Sequence, residues 1–200
     1  MLTPLSLLDR SQLETIILRG ARSHDEPEAD APRCSDVAIT QYLPAGTGPR
    51  DRRLRHVLAA AHELLTRIAA DAMRGRSLIE HPQALKEYFA VHFAGAQRES
   101  FVVVFLDATQ RVIACEELFA GTLSETHVHP REVVRKVLEH NAAAVAFGHP
   151  HPSGCPEPSR ADERLTLLLK SALALIDVRV IDHIVVGVGT TCSFAERGLL

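Results

Sequence analysis

The chain has 200 residues, a formal net charge of −3, and 46% hydrophobic residues. That length allows one domain of ordinary size with a smaller appendage, and its core must be built from Leu, Val, Ile and Ala because aromatic residues make up only 4%. The acidic balance argues against a non-specific grip on DNA or on an anionic membrane, since both depend on a surplus of Lys and Arg.

The first half of the chain is predicted to be helical, with one interruption. Residues 5–19 carry apolar side chains at helical spacing, which predicts one short helix. Residues 20–50 are polar and rich in Pro, Asp and Glu, as expected of a flexible linker. A second helix is predicted over 51–73, and a third begins at Pro82 with an apolar side that extends to Phe93.

The second half alternates between strands and helices. FVVVFLD (101–107) predicts a buried strand, DATQ a turn, and RVIACEEL the returning strand of a hairpin. The elements expected after the hairpin are a helix over 129–142, a strand over 143–148, a helix over 160–176 and a strand over 178–187. This order predicts an α/β fold with a mixed β-sheet flanked by helices, together with a small helical N-terminal region.

The four cysteines are far apart, and none belongs to a C-x-x-C pair. Their spacing excludes a zinc ribbon and argues against a disulfide framework. The first residues lack a basic segment followed by an apolar one, and no apolar run reaches the roughly 20 residues that a bilayer requires. We therefore expect a cytoplasmic protein with reduced thiols and no membrane association.

Residues 148–162, GHPHPSGCPEPSRAD, join a central strand to a helix through a loop stiffened by four prolines. Two histidines separated by one residue in an extended segment point to the same side, so His149 and His151 could ligate one metal ion together. Asp162 lies in the first turn of the following helix and could add a carboxylate. Three such ligands leave the fourth tetrahedral position of zinc open, which is typical of catalytic sites.

This segment fits the JAMM (MPN+) metalloprotease motif: His-x-His, seven residues, Ser, two residues, Asp. His149, His151 and Asp162 match its zinc ligands, and Ser159 matches its serine. More widely, residues 99–200 resemble the RadC family in stretches such as FVVVFLDATQRVI, PSRAD and LIDVRVIDHIVVG. The resemblance implies a JAB/MPN, cytidine-deaminase-like fold, bound Zn2+, and hydrolysis of a peptide or isopeptide bond.

The resemblance also implies two catalytic roles. The motif requires a glutamate just before the first long strand, and Glu99 is the match. It would act as general base and then as general acid, taking a proton from water and delivering one to the leaving amine. Ser159 would donate a hydrogen bond to the oxyanion of the tetrahedral intermediate. Glu116 and Glu117 on the next strand are alternatives for the glutamate.

Structural interpretations compete with these roles. Ser159 and Asp162 also form an S-x-x-D capping box, which is common at helix starts. The chain has eleven histidines and repeats the His-x-His pattern at His127 and His129, a pair that we interpret as structural because Pro130 begins a helix there. Only the first pair has a serine and an aspartate at the motif's spacing. In the strand over 178–187, the adjacent aspartate and histidine at 182 and 183 are expected to form a buried hydrogen-bonded pair.

The chain departs from the family's usual pattern at two loop positions and in its first half. Pro150 stands where the family commonly has Asn, and Cys155 where it usually has Asp. No Gly-x-Gly hairpin of the kind that contacts DNA phosphates occurs before residue 93. We assign residues 1–50 to an N-terminal helix and flexible linker, 51–93 to a helical segment, and 94–200 to a JAMM/MPN-like catalytic domain.

The favoured function is a zinc-dependent metallopeptidase or isopeptidase that acts on a peptide or isopeptide substrate. The alternatives are an MPN-type scaffold and a DNA-repair-associated protein without proteolytic activity. The acidic charge and the missing hairpin argue against a nucleic-acid partner, and the sequence does not indicate an oligomeric state.

Overall fold

The computed structural model describes residues 8–22, 48–78, 81–120 and 128–200. Its helices are α1 (Arg10–Arg22), α2 (Pro49–Met73), α3 (Pro82–His92), α4 (Pro130–Glu139) and α5 (Arg160–Ala174). Its strands are β1 (Ser100–Leu106), β2 (Val112–Ala120), β3 (Ala144–Pro150), β4 (Arg179–Gly187) and β5 (Thr190–Ser193). The chain divides into two compact units between Ile68 and Ala69. Across the described ranges, no helix is long and apolar enough to cross a membrane.

The first unit contains α1 and most of α2. Leu13 of α1 is buried in one cluster with Ala59 and Ala60 of α2. The guanidinium of Arg67 donates to the carbonyl of Leu8, which ties the start of the described chain to α2. The helix predicted over 5–19 is present but begins at Arg10, and most of the predicted linker lies outside the described residues.

The second unit is built on a five-stranded sheet in the order β2-β1-β3-β4-β5. The β3–β4 pair is parallel and the other three pairs are antiparallel, so the sheet is mixed. The predicted α/β fold with a mixed sheet is therefore confirmed, as is the hairpin of β1 and β2. The last strand, β5, was not predicted, because TTCS is short and lacks the apolar run that marks the other strands.

Helices cover both faces of this sheet. Since neighbouring residues of a strand point to opposite faces, β1 supplies Val102 and Val104 to one core and Phe101, Val103 and Phe105 to the other. The first core also contains residues of α3, and the second contains residues of α4 and α5. Every residue of β1 and β3 is buried, so these strands form the centre of the unit. The division of the chain into residues 1–50, 51–93 and 94–200 stays a prediction.

A glycine allows α3 to pack closely on the central strand β3. A Cβ atom added to Gly148 would lie 2.4 Å from Cε1 of Phe89, well inside van der Waals contact. Phe89 is fully buried and stacks on Phe93 with 5.6 Å between ring centroids, so its ring has no space to move into. Gly148 therefore allows α3 to pack against the end of β3, next to His149.

Gly148→Ala should lower the free energy of unfolding by about 1–3 kcal/mol, the usual cost of overpacking a tight core. Urea unfolding of the parent and the variant would measure the loss. The matched test repeats the substitution in a Phe89→Val background, where the ring atoms that meet the new Cβ are gone. There the added methyl should cost much less, because the two positions are in contact and their effects are coupled. An equal cost in both backgrounds would rule out this packing explanation.

Candidate metal centre

Two histidine rings meet at the carboxyl end of β3. The strand runs through Pro150, and the backbone N–H of His151 donates to the carbonyl of Val186 at 2.8 Å, so the segment stays extended. The rings of His149 and His151 consequently face the same side, with their Nε2 atoms 3.0 Å apart. His149 is buried and His151 is half-buried. The predicted pairing of the two histidines is thus present in the structure.

Asp162 reaches the same point from the first turn of α5. Its Oδ1 lies 3.2 Å from Nε2 of His149, and its Oδ2 lies 3.4 Å from Nε2 of His151. The predicted capping box is present: the backbone N–H of Asp162 donates to Oγ of Ser159, and Oδ2 accepts from the backbone N–H of Ser159 at 2.7 Å. The helix cap therefore fixes the orientation of the carboxylate that faces the histidines.

These three side chains fit a zinc ion by their chemistry. One ligand atom from each lies within 4.8 Å of the others, and no other such group of His, Cys, Asp and Glu occurs in the described ranges. Two imidazole nitrogens and one carboxylate oxygen form a donor set that zinc accepts. Nδ1 of His151 lies 2.8 Å from the carbonyl oxygen of Cys155, which can only accept, so Nδ1 carries the hydrogen and Nε2 is free to ligate.

The loop that carries His151 and Cys155 is pinned to β4. Gly154 has a φ of +85°, and it donates its N–H to the carbonyl of His151 while accepting from the N–H of Val188. A Cβ on Gly187 would lie 2.4 Å from the carbonyl oxygen of Gly154, so the loop and the strand are in close backbone contact. This contact places the carbonyl of Cys155 where it orients the ring of His151.

Opposite charges stabilise the metal-free cluster. Burial opposes ionisation of Asp162, but the neighbouring imidazoles of His149 and His151 outweigh it and hold the pKa of the carboxyl far below its usual range. Conversely, the hydrogen bond to Asp162 raises the pKa of His151, although partial burial works against this. The cluster thus stabilises a positive charge beside a carboxylate, and a bound cation would be stabilised there in the same way.

Glu99 directly precedes β1 at the same edge of the sheet. Because β1 and β3 are antiparallel, the start of β1 lies beside the end of β3, where the two histidines are. The negative charge of Glu99 contributes to the raised pKa of His151. Glu99 is also partly buried, unlike its neighbours Gln97 and Arg98. Its assignment as the catalytic glutamate stays a prediction, now with an electrostatic link to the cluster.

The two alternative glutamates have partners elsewhere. Glu116 accepts from Nζ of Lys136 at 2.9 Å and lies 2.6 Å from Nε2 of His140. Glu117 lies 3.6 Å from Nε2 of His92. Both carboxylates therefore belong to contacts between β2 and its neighbouring helices. Of the second His-x-His pair, the first histidine lies outside the described residues and the second is the N-cap residue of α4.

The sequence did not reveal that His183 and Thr166 are hydrogen-bonded to the histidine cluster. Asp182 and His183 are expected to form a hydrogen-bonded pair, and the backbone N–H of His183 does donate to the carboxylate of Asp182. The other partners of that carboxylate are Oγ of Ser193 and the backbone N–H of Ala195, so the ring of His183 is not bonded to it. The ring of His183 instead lies 2.8 Å from Nδ1 of His149 and 2.7 Å from Oγ1 of Thr166. A weak signal existed, since Thr166 stands four residues after Asp162 and therefore shares its face of α5.

A mixed sheet with two histidines at the end of a central strand and an aspartate at the start of the next helix defines an α/β domain with a candidate metal centre. The chain belongs to the RadC-like JAB domain family, whose model matches residues 79–199. The resemblance inferred from the motif is thereby confirmed. The match begins ahead of α3, the helix that packs against β3.

Relatives of this chain carry the name UPF0758 protein. One from Acidovorax sp. (strain JS42) is 52% identical over 155 residues, which cover 78% of this chain and 64% of the relative. One from Nitrosomonas eutropha is 51% identical over 143 residues, covering 72% of this chain and 64% of the relative. One from Variovorax paradoxus is 51% identical over 146 residues, covering 73% of this chain and 65% of the relative. The alignments thus span somewhat less than two thirds of these relatives' length.

In the metal-free protein, His151 should titrate above 6.5, because the Asp162 carboxylate favours its charged form. A raised folded-state pKa contributes stability below 6.5, and this contribution is lost as pH rises through the folded-state value. Histidine NMR titration in the presence of a chelator measures the midpoint. Asp162→Asn removes the charge but nearly preserves the shape, and it should lower the midpoint. A parent midpoint at or below 6.5 would contradict this account of the cluster.

Proposed function

We propose that the chain is a zinc-dependent hydrolase of peptide or isopeptide bonds. The observation that supports it is the convergence of the Nε2 atoms of His149 and His151 with the carboxylate of Asp162. A three-ligand set of this kind is typical of catalytic zinc, whereas structural zinc is usually held by four protein ligands. Bound there, Zn2+ would supply Lewis acidity and lower the pKa of a coordinated water to roughly 7.

Glu99 and Ser159 would carry the remaining chemistry. The carboxylate of Glu99 accepts a proton from the attacking water, whose oxygen bonds to the amide carbonyl carbon. The C–N bond then breaks, and Glu99 delivers the proton to the leaving amine nitrogen. Oγ of Ser159 already accepts from the N–H of Asp162, so its own hydrogen can be donated to the oxyanion. One such donor is typically worth about 3 kcal/mol in the transition state.

The alternatives receive less support from the site. A scaffold has no need of a converged ligand set, yet here both ring nitrogens and the carboxylate are oriented by further hydrogen bonds. A role in DNA repair would need a basic surface, and the net charge is −3. We also assign the protein to the cytoplasm, where the thiols of Cys115, Cys155 and Cys192, all free in the structure, would stay reduced.

Purified protein should contain about one zinc ion per chain, and Asp162→Ala should lose it, because two histidines alone leave the site short of a ligand. Elemental analysis after dialysis against a metal-free buffer measures the content. Glu163→Ala is the matched control: it also removes an acidic side chain from the first turn of α5, but one outside the cluster. Full zinc content in Asp162→Ala would defeat the ligand assignment.

Zinc-loaded protein should cleave members of a panel of linear and Lys-branched fluorogenic peptides. Glu99→Gln should keep the zinc and slow cleavage about 100- to 10,000-fold, the range for a lost general base. Ser159→Ala should slow it about 100- to 1,000-fold through the lost oxyanion donor. The loss of its helix cap should cost only about 1 kcal/mol of stability.

Glu117→Gln serves as the control for Glu99→Gln, since it makes the same chemical change on a carboxylate paired with His92. It should cleave like the parent. Unchanged cleavage by Glu99→Gln would remove that residue from the mechanism. Full zinc loading without cleavage of any peptide in the panel would favour the scaffold alternative.

A further inference from the structure

We propose that His183 and Thr166 are positioning residues, which fix His149 in the tautomer that turns the lone pair of its Nε2 atom toward the metal position. The proposal rests on the proposed function for the identity of the ion. The tautomer itself is a property of the protein without metal, so the two ideas can be tested separately.

Three hydrogen bonds link the ring of His149 to the backbone of α5. Nδ1 of His149 lies 2.8 Å from Nε2 of His183, and Nδ1 of His183 lies 2.7 Å from Oγ1 of Thr166. The hydroxyl of Thr166 donates to the carbonyl oxygen of Asp162 at 2.7 Å. The chain therefore starts at one candidate ligand, His149, and ends on the backbone of another, Asp162. We call these contacts the His149–His183–Thr166 relay.

The last acceptor sets the direction of every hydrogen in the relay. A carbonyl oxygen can only accept, so the hydroxyl hydrogen of Thr166 points to Asp162. Oγ1 of Thr166 must then accept from His183, which places the ring hydrogen of His183 on Nδ1. Nε2 of His183 is left as an acceptor, and His149 donates to it from Nδ1. The Nε2 atom of His149 is consequently the one without a hydrogen, as a metal ligand requires.

Burial prevents water from replacing the members of the relay. His183 is 0% exposed and Thr166 is 1% exposed. The rings of Phe101, Phe147 and Phe194 lie around His183, with centroids 4.7–5.8 Å from its own. In such surroundings a lost hydrogen bond leaves a buried polar group unsatisfied, at a cost of about 1–3 kcal/mol. The three hydrogen bonds therefore depend on one another. If every hydrogen pointed the other way, the hydroxyl of Thr166 would no longer donate to the carbonyl of Asp162, so that order is disfavoured.

The two candidate ligand histidines are oriented by different means. His151 has left the strand, and the carbonyl of Cys155 in the pinned loop accepts directly from its Nδ1 atom. His149 lies within β3 and is paired with Val185 of β4, so the neighbouring backbone groups belong to the sheet. A carbonyl is instead reached across the core, through a histidine of β4 and a threonine of α5. The relay thus gives His149 an acceptor for its Nδ1 hydrogen, as the carbonyl of Cys155 does for His151.

Thr166→Val tests the proposal with little change in shape. In the metal-free variant, His183 loses its acceptor, and the tautomer of His149 should shift from Nδ1–H toward Nε2–H. In the zinc-loaded variant, affinity in a chelator competition should fall by up to about 100-fold, since losing the direct partner of a ligand histidine costs about 10- to 100-fold and Thr166 acts one step further away, through His183. Nitrogen-15 NMR of labelled histidines reports the tautomer, with His149 assigned by the loss of its signal in His149→Gln.

Ser171→Ala is the matched control. Its hydroxyl makes the same kind of contact on the same helix, donating to the carbonyl of Leu167 at 2.8 Å, but the side chain is exposed and outside the relay. It should change neither the tautomer nor the zinc affinity. A second pair of variants, His183→Phe and His183→Gln, separates packing from hydrogen bonding. His183→Phe keeps an aromatic ring but can form neither hydrogen bond, so its zinc affinity should fall. His183→Gln can accept from His149 and donate to Thr166, so its zinc affinity should lie between those of His183→Phe and the parent.

The outcomes separate this proposal from the proposed function. Parent protein that binds zinc, with Thr166→Val equal to it in both affinity and tautomer, would overturn the relay and leave the zinc site intact. Parent protein that binds no zinc would overturn the proposed function, and the tautomer of His149 would then decide alone: Nδ1–H supports the relay and Nε2–H contradicts it. Should His183→Phe fail to fold, the comparison of Thr166→Val with Ser171→Ala still decides.

Discussion

The junction between β3 and α5 is the constraint on which the candidate site depends. Two imidazole nitrogens come from the strand end and one carboxylate from the helix start, and all three must meet at one point. The strand supplies rigidity, because His149 and Pro150 are paired with Val185 and Val186 of β4. The helix supplies direction, because the backbone N–H of Ser159 holds one oxygen of Asp162. Neither element could define the site alone.

Charge balance explains why this cluster suits a cation. A partly buried carboxylate beside two imidazoles favours a compensating positive charge, and in the absence of metal the Asp162 carboxylate raises the pKa of His151 and so favours a proton there. A divalent ion would take the place of such a proton and bind the same oxygens and ring nitrogens. Metal and protons therefore compete for the site, and metal affinity should weaken as pH falls. The site is prepared for a cation by groups that lie outside the ligand set.

Local patterns in the sequence were enough to predict most of the fold and the core of the site. Apolar periodicity predicted the helices and the four long strands, and the spacing of His149, His151, Ser159 and Asp162 predicted the cluster with its helix cap. What could not be predicted depends on contacts between distant segments. The ring of His183 meets His149 across 34 positions of sequence, and no local pattern indicates which neighbour a buried histidine will find. The strand β5 was missed because pairing with β4, rather than its own composition, makes it a strand.

Pro150 and Cys155, the two positions at which the resemblance predicts a departure from the family's usual pattern, can be understood from backbone geometry. Pro150 ends β3 opposite Val186, and its fixed φ keeps the chain extended between the two histidines. Cys155 contributes its carbonyl to His151, a group that every residue type has, and its thiol is exposed. Cys155 therefore serves the metal centre through its main chain, which a substitution of its side chain leaves in place, whereas Pro150 acts through the ring that fixes its φ. Of the two side chains, that of Pro150 is buried at the end of β3, and only the thiol of Cys155 is exposed.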